Sequence, residues 1–112
     1  MADERQERRR HSRLKLECPV SFFTRSGQVA AKGKSLDMSD GGTFVSVPVE
    51  QVHQLQGRVN LTFSIPRSTE NTYMLEDFAC QADILRRQPL VDETFASVAV
   101  AFTRPMDLGL EV

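Results

Sequence analysis

The apolar residues of this chain recur at every second position over most of its length. Because successive side chains of a strand point to opposite faces, such alternation is typical of strands with one buried face and one solvated face. Clear alternation covers five segments, residues 14–22, 45–49, 59–65, 78–84 and 98–102. A sixth, weaker strand is expected over residues 28–36, after a turn at residues 25–27. Six short strands predict an all-β fold, an antiparallel barrel or sandwich.

Helix-forming signals are confined to one short stretch. Pro48 and Gly57 bracket apolar residues that are spaced for a brief helical turn, whereas residues 105–112 are too few to form a stable helix alone. With 112 residues the chain has room for one hydrophobic core. We therefore expect two parts, a flexible basic N-terminal arm over residues 1–13 and a β-barrel domain over residues 14–112.

The composition excludes several classes of protein. Hydrophobic residues at 40% and charged residues at 26% are typical of a globular chain, and no stretch is apolar for long enough to span a membrane. The first residues lack the apolar segment of a secretory signal. Cys18 and Cys80 are the two cysteines, and their place on the apolar phase predicts core positions rather than a disulfide. We expect a cytoplasmic protein with no membrane insertion.

The sequence shows no pattern typical of catalysis. His11 and His53 lie far apart, and no residues have the spacing of metal ligands. No serine or cysteine is placed near a base in the manner of a nucleophilic enzyme. We therefore predict a binding protein, not an enzyme, with no metal and no cofactor.

Charge is distributed unevenly along the chain. Residues 1–15 have six basic and three acidic side chains, a formal charge of +3, whereas residues 16–112 have a formal charge of −4. Any anion-binding function is therefore expected in the N-terminal arm. A solvated basic tail is one alternative. Binding of nucleic acid is another, although it usually needs a wider basic face than this chain offers.

Two segments have residue types that suit a nucleotide ligand. Arg9 and Arg13 form an Arg-x-x-x-Arg motif, and Asp37, Ser39 and Gly42 form an Asp-x-Ser-x-x-Gly motif. Taken alone, the second motif is an ordinary turn whose glycines are free to adopt positive φ. Together, in this order and at this separation, the motifs resemble those of the PilZ domain, a bacterial receptor for cyclic di-GMP. Glu-Arg-Arg-Arg-His before the first strand and Val-Ala-Val-Ala-Phe near the C-terminus are also similar to that family.

The resemblance covers roughly residues 5–104 and implies a six-stranded antiparallel barrel with a cyclic di-GMP site beside the arm. The implied ligand-binding residues are Arg8, Arg9, Arg13, Asp37, Ser39 and Gly42, with Arg10 and Gly41 as possible accessory positions. Arginine is planar and donates in a fork, which suits guanine O6 and N7 and phosphate oxygens. Asp37 would accept from guanine N1–H and N2–H₂. Ser39 would offer a hydroxyl, and Gly42 would let the backbone approach the ligand.

Arg8 immediately precedes the arginine motif, and family members with an arginine there tend to bind an intercalated ligand dimer. We therefore predict two cyclic di-GMP molecules per protomer. The arm is expected to close over the ligand and alter a surface that an unidentified effector protein recognises, with motility, biofilm or exopolysaccharide as the regulated output. A ligand-blind PilZ-like interaction module is the alternative, which the intact motifs disfavour. Because many family members end in a C-terminal helix, what covers one end of this shorter barrel is left open.

Overall fold

The computed structural model describes residues 14–89 and 94–110; residues 1–13, 90–93 and 111–112 lie outside the description. The described residues form β1 (Pro19–Phe23), β2 (Val29–Ser39), β3 (Gly42–Pro48), α1 (Val49–Val52), β4 (Arg58–Ser68), β5 (Tyr73–Pro89) and β6 (Phe95–Phe102). The strands close into a barrel in the order β1-β2-β3-β6-β5-β4, and each neighbouring pair is antiparallel. The predicted six-stranded antiparallel barrel is confirmed.

The core of the barrel is built from the alternate residues that face inward. On β4 these are Val59, Leu61, Phe63 and Ile65, all of which are buried. The ring of Phe63 stacks on the ring of Phe78 at 5.5 Å and on that of Phe102 at 5.8 Å between centroids. Aromatic pairs at such separations add attraction to the area that they bury. The sequence alternation of β4, β5 and β6 thus translates directly into a stacked core.

The predicted helical turn is also confirmed. Pro48 precedes α1 with a φ of −57°, close to the value that the pyrrolidine ring imposes. Gly57 follows with a φ of +62°, a left-handed conformation that favours glycine. Leu55, between them, is fully buried. No helix of residues 14–89 or 94–110 has the length and apolar character needed to cross a membrane.

One end of the barrel is covered by residues 105–110, which we call the C-terminal strap. Leu108 of the strap is fully buried in the core, and Met106 packs against it. The N–H of Met106 donates to the carbonyl of Asp40 at 2.8 Å, and that of Leu108 donates to its carboxylate at 3.2 Å. From the other side, Arg67 donates to the carbonyl of Leu108. The strap therefore packs Leu108 into the core and is held by both Asp40 and Arg67.

The alternation over residues 14–22 predicts that the first strand starts at residue 14. In the structure β1 begins only at Pro19. The N–H of Cys18 donates to the hydroxyl of Ser35 at 2.9 Å instead of to a neighbouring carbonyl. The same hydroxyl donates to the carbonyl of Leu16. The N–H of Ser35 still donates to the carbonyl of Cys18 at 2.9 Å, so that one backbone hydrogen bond and the serine side chain together hold this segment. An apolar period of two does not reveal that arrangement.

Because aromatic side chains bury the most area, the sequence predicts core positions for the phenylalanines of the strands, Phe44 and Phe95 among them. Phe95 was expected in the core but is 40% exposed. The inward phase of β6 belongs to Ala96, Val98 and Val100, so that Phe95 faces out. The core prediction is therefore wrong for Phe95, and Phe44 is only half-buried.

The two cysteines are confirmed as core thiols. Cys18 is buried, and Cys80 is partly buried and packs against the core. Burial raises the pKa of the Cys80 thiol to about 11. Since the thiolate is the reactive form, Cys80 is unreactive at neutral pH.

Candidate functional site

The Asp-x-Ser-x-x-Gly motif lies on the β2–β3 hairpin, where the pairing of the two strands is irregular. Ser35 opposes Val45 and Asp37 opposes Phe44, so that Leu36 is an additional residue on β2. Such a β-bulge reverses the alternation of faces along its strand. Ser35 before it is fully buried in the barrel, whereas Asp37 after it is half-buried and lies opposite the half-buried Phe44. The bulge therefore places Asp37 on the outer face.

A second bulge occurs at the same level on β5. Ile84 opposes Val100 and Arg86 opposes Ala99, which leaves Leu85 as the additional residue. Ala99 also opposes Phe44 across β3 and β6. Directly opposed residues of antiparallel strands share a face of the sheet. One row on the outer face therefore runs across four strands, namely Asp37, Phe44, Ala99 and Arg86.

The Arg86 end of this row borders a groove. The guanidinium carbon of Arg86 lies 5.7 Å from the centroid of the Phe44 ring. The groove beside them has a volume of about 310 Å³ and is lined by Thr43, Phe44, Leu85, Arg86, Ala99 and Val100. Ala99 lies between Phe44 and Arg86 in the row and has the smallest of these side chains, which leaves room for the Arg86 guanidinium to reach the Phe44 ring. The row thus has an acceptor at one end, a guanidinium at the other, and an aromatic ring beside the acceptor.

The turn of the hairpin is smaller than the sequence suggests. Asp37 and Ser39 belong to β2 and Gly42 to β3, so that only Asp40 and Gly41 connect the strands. Ser39 is 4% exposed, and its hydroxyl accepts from the N–H of Gly41 at 3.2 Å and donates to the carbonyl of Gly42 at 3.4 Å. Ser39 therefore fixes the tight turn beside Asp37.

Gly42 has a structural function within the barrel that the sequence does not predict. A Cβ at this position would lie 2.2 Å from the carbonyl oxygen of Val100, so that only glycine allows β3 to approach β6 this closely. The positive φ expected for Gly41 and Gly42 is not observed. Within the described part of the chain the glycines with positive φ are Gly27, Gly57 and Gly109. The motif glycine thus sets the spacing of two strands instead of a turn conformation.

An isolated bridge joins the hairpin to the residue that follows the arginine motif in the sequence. The N–H of Leu14 donates to the carbonyl of Met38, and the N–H of Met38 donates to the carbonyl of Leu14, both at 2.9 Å. Met38 lies between Asp37 and Ser39 of the second motif. The chain immediately after Arg13 is therefore held against the Asp-x-Ser-x-x-Gly segment.

Some of the predicted ligand-binding residues lie outside the described residues. These are Arg8, Arg9, Arg10 and Arg13. Of the remaining predicted residues, the structure brings Asp37, Ser39, Gly41 and Gly42 together on one hairpin. No cluster of three or more histidine, cysteine or acidic side chains in residues 14–89 and 94–110 is arranged to hold a metal ion.

Sequence reasoning missed Arg86 and Phe44 as site residues. Phe44 was assigned to the core because aromatic residues bury the most area. Arg86 and its neighbour Arg87 are adjacent in the sequence, and the bulge at Leu85 decides which of them shares a face with Phe44. The adjacent arginines are visible in the sequence, but the sequence does not show which of them lies on the same face as Phe44.

The fold and the hairpin motif agree with what a comparison of sequences finds. The sequence model of the PilZ domain matches residues 7–111, and the chain therefore belongs to the PilZ domain family, a family of cyclic di-GMP receptors. No curated protein sequence matches the chain.

Among solved structures, the chain is similar to the Bacillus subtilis inhibitor of motility MotI/DgrA, with a TM-score of 0.69 and 13% sequence identity. The likeness covers 89% of this chain and 44% of that one, so that the chain spans less than half the length of this neighbour. At this identity the likeness establishes the fold alone.

Proposed function

We propose that the protein is a receptor for cyclic di-GMP and acts as an adaptor for another protein, without catalysis of its own. The observation that carries the proposal is the bridge between Leu14 and Met38. It holds the chain next to the arginine motif against the strand that presents Asp37 on the outer face. Donors from the arm and acceptors from the hairpin would thus reach the same ligand.

The chemistry of the two segments is complementary to guanine. Arg9 and Arg13 would donate to guanine O6 and N7 or to phosphate oxygens, since a guanidinium fits both in a bidentate manner. Asp37 would accept from the N1–H and N2–H₂ groups, which arginine cannot do. Arg8, Arg10 and the hairpin residues beside Asp37 would complete the site.

Each of the smaller hairpin residues has a structural task that serves such a site. Ser39 and Gly42 tighten the turn and the contact with β6, which keeps the backbone beside Asp37 in a fixed place. A fixed acceptor loses little entropy on binding. Their contribution would therefore be to hold Asp37 in position, in addition to any contact of the Ser39 hydroxyl with phosphate.

The output would be a change in an interaction surface. We propose two ligand molecules per protomer, which order the arm against the barrel and create a surface for an effector protein in the cytoplasm. Motility is one candidate output, because the neighbour MotI/DgrA is named as an inhibitor of motility. Biofilm formation and exopolysaccharide synthesis are others that the family implies.

A ligand-blind interaction module is the second candidate function. The exposed apolar side chains at the tip of the β4–β5 hairpin favour it, since Tyr73, Met74 and Leu75 are each more than half exposed. Surfaces of this kind commonly mark contact sites for other proteins. The intact Arg-x-x-x-Arg and Asp-x-Ser-x-x-Gly motifs favour the receptor.

Titration calorimetry with cyclic di-GMP distinguishes the receptor from the ligand-blind interaction module. We expect the wild type to bind with a ratio near two, and Arg13→Ala to lose on the order of 1–3 kcal/mol of binding free energy, the range for one bidentate base contact. Arg25→Ala is the matched control, because Arg25 is an exposed arginine in the turn before β2, at the other end of that strand from Asp37. No binding by the wild type would exclude the receptor, and a ratio near one would exclude the ligand pair.

A further inference from the structure

Arg86 is held differently from the arginines of β4. Arg58 donates to the carboxylate of Asp83, and Arg67 donates to the carboxylate of Glu76, both at 2.9 Å. The group that Arg86 contacts is instead the ring of Phe44. A guanidinium that lies over an aromatic ring can still donate from N–H groups that do not face the ring. Arg86 is thus a donor that an aromatic side chain supports.

The groove that Phe44 and Arg86 border has room for one planar base. Its volume of about 310 Å³ lies at the small end of the range for ligand pockets, roughly 300–1,000 Å³. An aromatic ring and the methyl group of Ala99 supply apolar surface, and Arg86 supplies the polar contact. One aromatic platform with one forked donor is a suitable arrangement for a guanine, whose O6 and N7 accept a bidentate pair.

Arg86 and Asp37 lie at opposite ends of the row on the outer face. Three steps between neighbouring strands separate them, a distance of roughly 14 Å across the sheet. This distance joins the backbones, because the Arg86 guanidinium reaches back to the Phe44 ring beside Asp37. Asp37 does not line the groove that Phe44 and Arg86 border, so a base in that groove would differ from the base that Asp37 contacts. Asp37 and Arg86 each directly follow a β-bulge, and bulges often re-aim side chains beside functional sites. The two irregularities therefore act at the two ends of one surface.

We infer that Arg86 and Phe44 form a guanine-binding subsite on β3, β6 and β5, separate from the base that Asp37 contacts. The inference rests on the proposed function, because its ligand is cyclic di-GMP. It extends the binding surface from the hairpin to the far side of β6. With two such subsites, the outer face would hold more than one guanine of the ligand.

Titration calorimetry with cyclic di-GMP on four proteins tests the subsite. Relative to the wild type, Arg86→Ala is expected to weaken binding at least fivefold, the lower end for loss of a bidentate base contact. Arg86→Lys should weaken binding by a similar factor, because it keeps the charge and loses the fork and the stacking. Arg87→Ala removes the same charge from the adjacent residue. Arg87 opposes Val98 and therefore lies on the other face of β5 from Arg86. We expect Arg87→Ala to change the affinity for cyclic di-GMP less than twofold.

The outcomes separate the subsite from the receptor function. If the wild type binds and Arg86→Ala binds within twofold of it, the subsite is wrong and the receptor stands. If Arg87→Ala loses as much affinity as Arg86→Ala, general charge attraction accounts for the effect and the subsite is also wrong. If the wild type does not bind cyclic di-GMP, both proposals fail. Because Arg86 is exposed, the melting temperature without ligand should be the same in all four proteins.

Discussion

The β2–β3 hairpin and the β4–β5 hairpin are built on the same antiparallel pairing but differ in regularity. From Arg58 and Asp83 to Ser68 and Tyr73, the β4–β5 hairpin keeps one register without a shift. The β2–β3 hairpin is interrupted by the bulge at Leu36. The regular hairpin supplies the stacked core, and the irregular one supplies the candidate site.

The difference shows how a closed barrel can have a binding face on its strands. Regular alternation directs each residue in or out and leaves the outer face without a specific arrangement. The bulges at Leu36 and Leu85 direct Asp37 and Arg86 onto one row of that face. We therefore expect substitutions in the β4–β5 hairpin to change stability, and substitutions in the outer row to change ligand binding.

The largest effect is expected in the regular hairpin. Phe63→Ala removes a buried ring that stacks on two others, and should lower the free energy of unfolding by about 3–5 kcal/mol. Urea unfolding measures the change. Since this approaches the whole stability of a small domain, Phe63→Leu provides a milder variant that still folds.

The same measurement needs a control on the same hairpin. Tyr73→Ala truncates a side chain that is 70% exposed and should change stability by less than about 0.5 kcal/mol. A loss at Tyr73 as large as that at Phe63 would contradict the assignment of stability to the inward face.

Gly42→Ala is expected to have the next largest effect, at the junction of the irregular hairpin with β6. A Cβ placed 2.2 Å from a backbone oxygen forces the two strands apart and should cost about 3 kcal/mol in urea unfolding. Gly27→Ala is the control. A Cβ at position 27 would meet no atom within 4 Å. The loss of unfolding free energy should therefore be limited to the strain of the left-handed φ of +91°, about 1 kcal/mol. Equal losses would mean that the contact with Val100 is not what requires glycine.

The regular part of the molecule could be predicted from the sequence. Val59, Leu61, Phe63 and Ile65 alternate without exception, and because side chains of a strand repeat with a period of two, burial follows from position alone. The number of such segments predicts an antiparallel barrel or sandwich, and the resemblance to the PilZ family implies the barrel. The C-terminal strap could not be predicted, because Leu108 is buried through contacts with residues far away in the sequence.

The site could be predicted only as far as its motifs. Asp37, Ser39 and Gly42 are visible in the sequence, but the bulge that puts Asp37 on the outer face depends on pairing with β3. The same holds for Arg86, which pairs with a residue of β6. A period of two does not indicate an added residue, and the two residues proposed to bind the ligand, Asp37 and Arg86, directly follow the added residues.

Asp37→Asn should weaken cyclic di-GMP binding by about 2 kcal/mol, because it replaces an acceptor with a donor that faces the donors of guanine. Asp77→Asn is the control on the regular hairpin, where Asp77 accepts from the hydroxyl of Ser64 at 2.5 Å. Calorimetry should show no loss of affinity for it. If both variants lose affinity equally, net charge and not the outer row governs binding.

Asp40→Ala should reduce stability by about 1 kcal/mol, the usual net contribution of one hydrogen bond. It removes the acceptor of the Leu108 N–H and loosens the C-terminal strap from the turn of the irregular hairpin. Hydrogen exchange should show faster exchange of the Leu108 amide. Unchanged exchange at that amide would mean that burial of the Leu108 side chain alone holds the strap.

The smallest effect is expected for the exposed ion pair that closes the base of the regular hairpin. A hydrogen bond from Arg58 lowers the pKa of Asp83, and the attraction of the two charges adds to it. A lowered pKa means that the pair stabilises the fold above the ordinary aspartate pKa of about 3.9 and ceases to do so as the pH falls through the native value. Asp83→Asn should therefore shift the urea midpoint slightly at pH 7 and low salt, and not at all at pH 2, because both side chains are solvated. If the difference in urea midpoint between the wild type and Asp83→Asn grew on acidification, the direction of the Asp83 pKa shift would be contradicted. A large difference in midpoint at pH 7 would mean that charge, and not the stacked core, stabilises the regular hairpin.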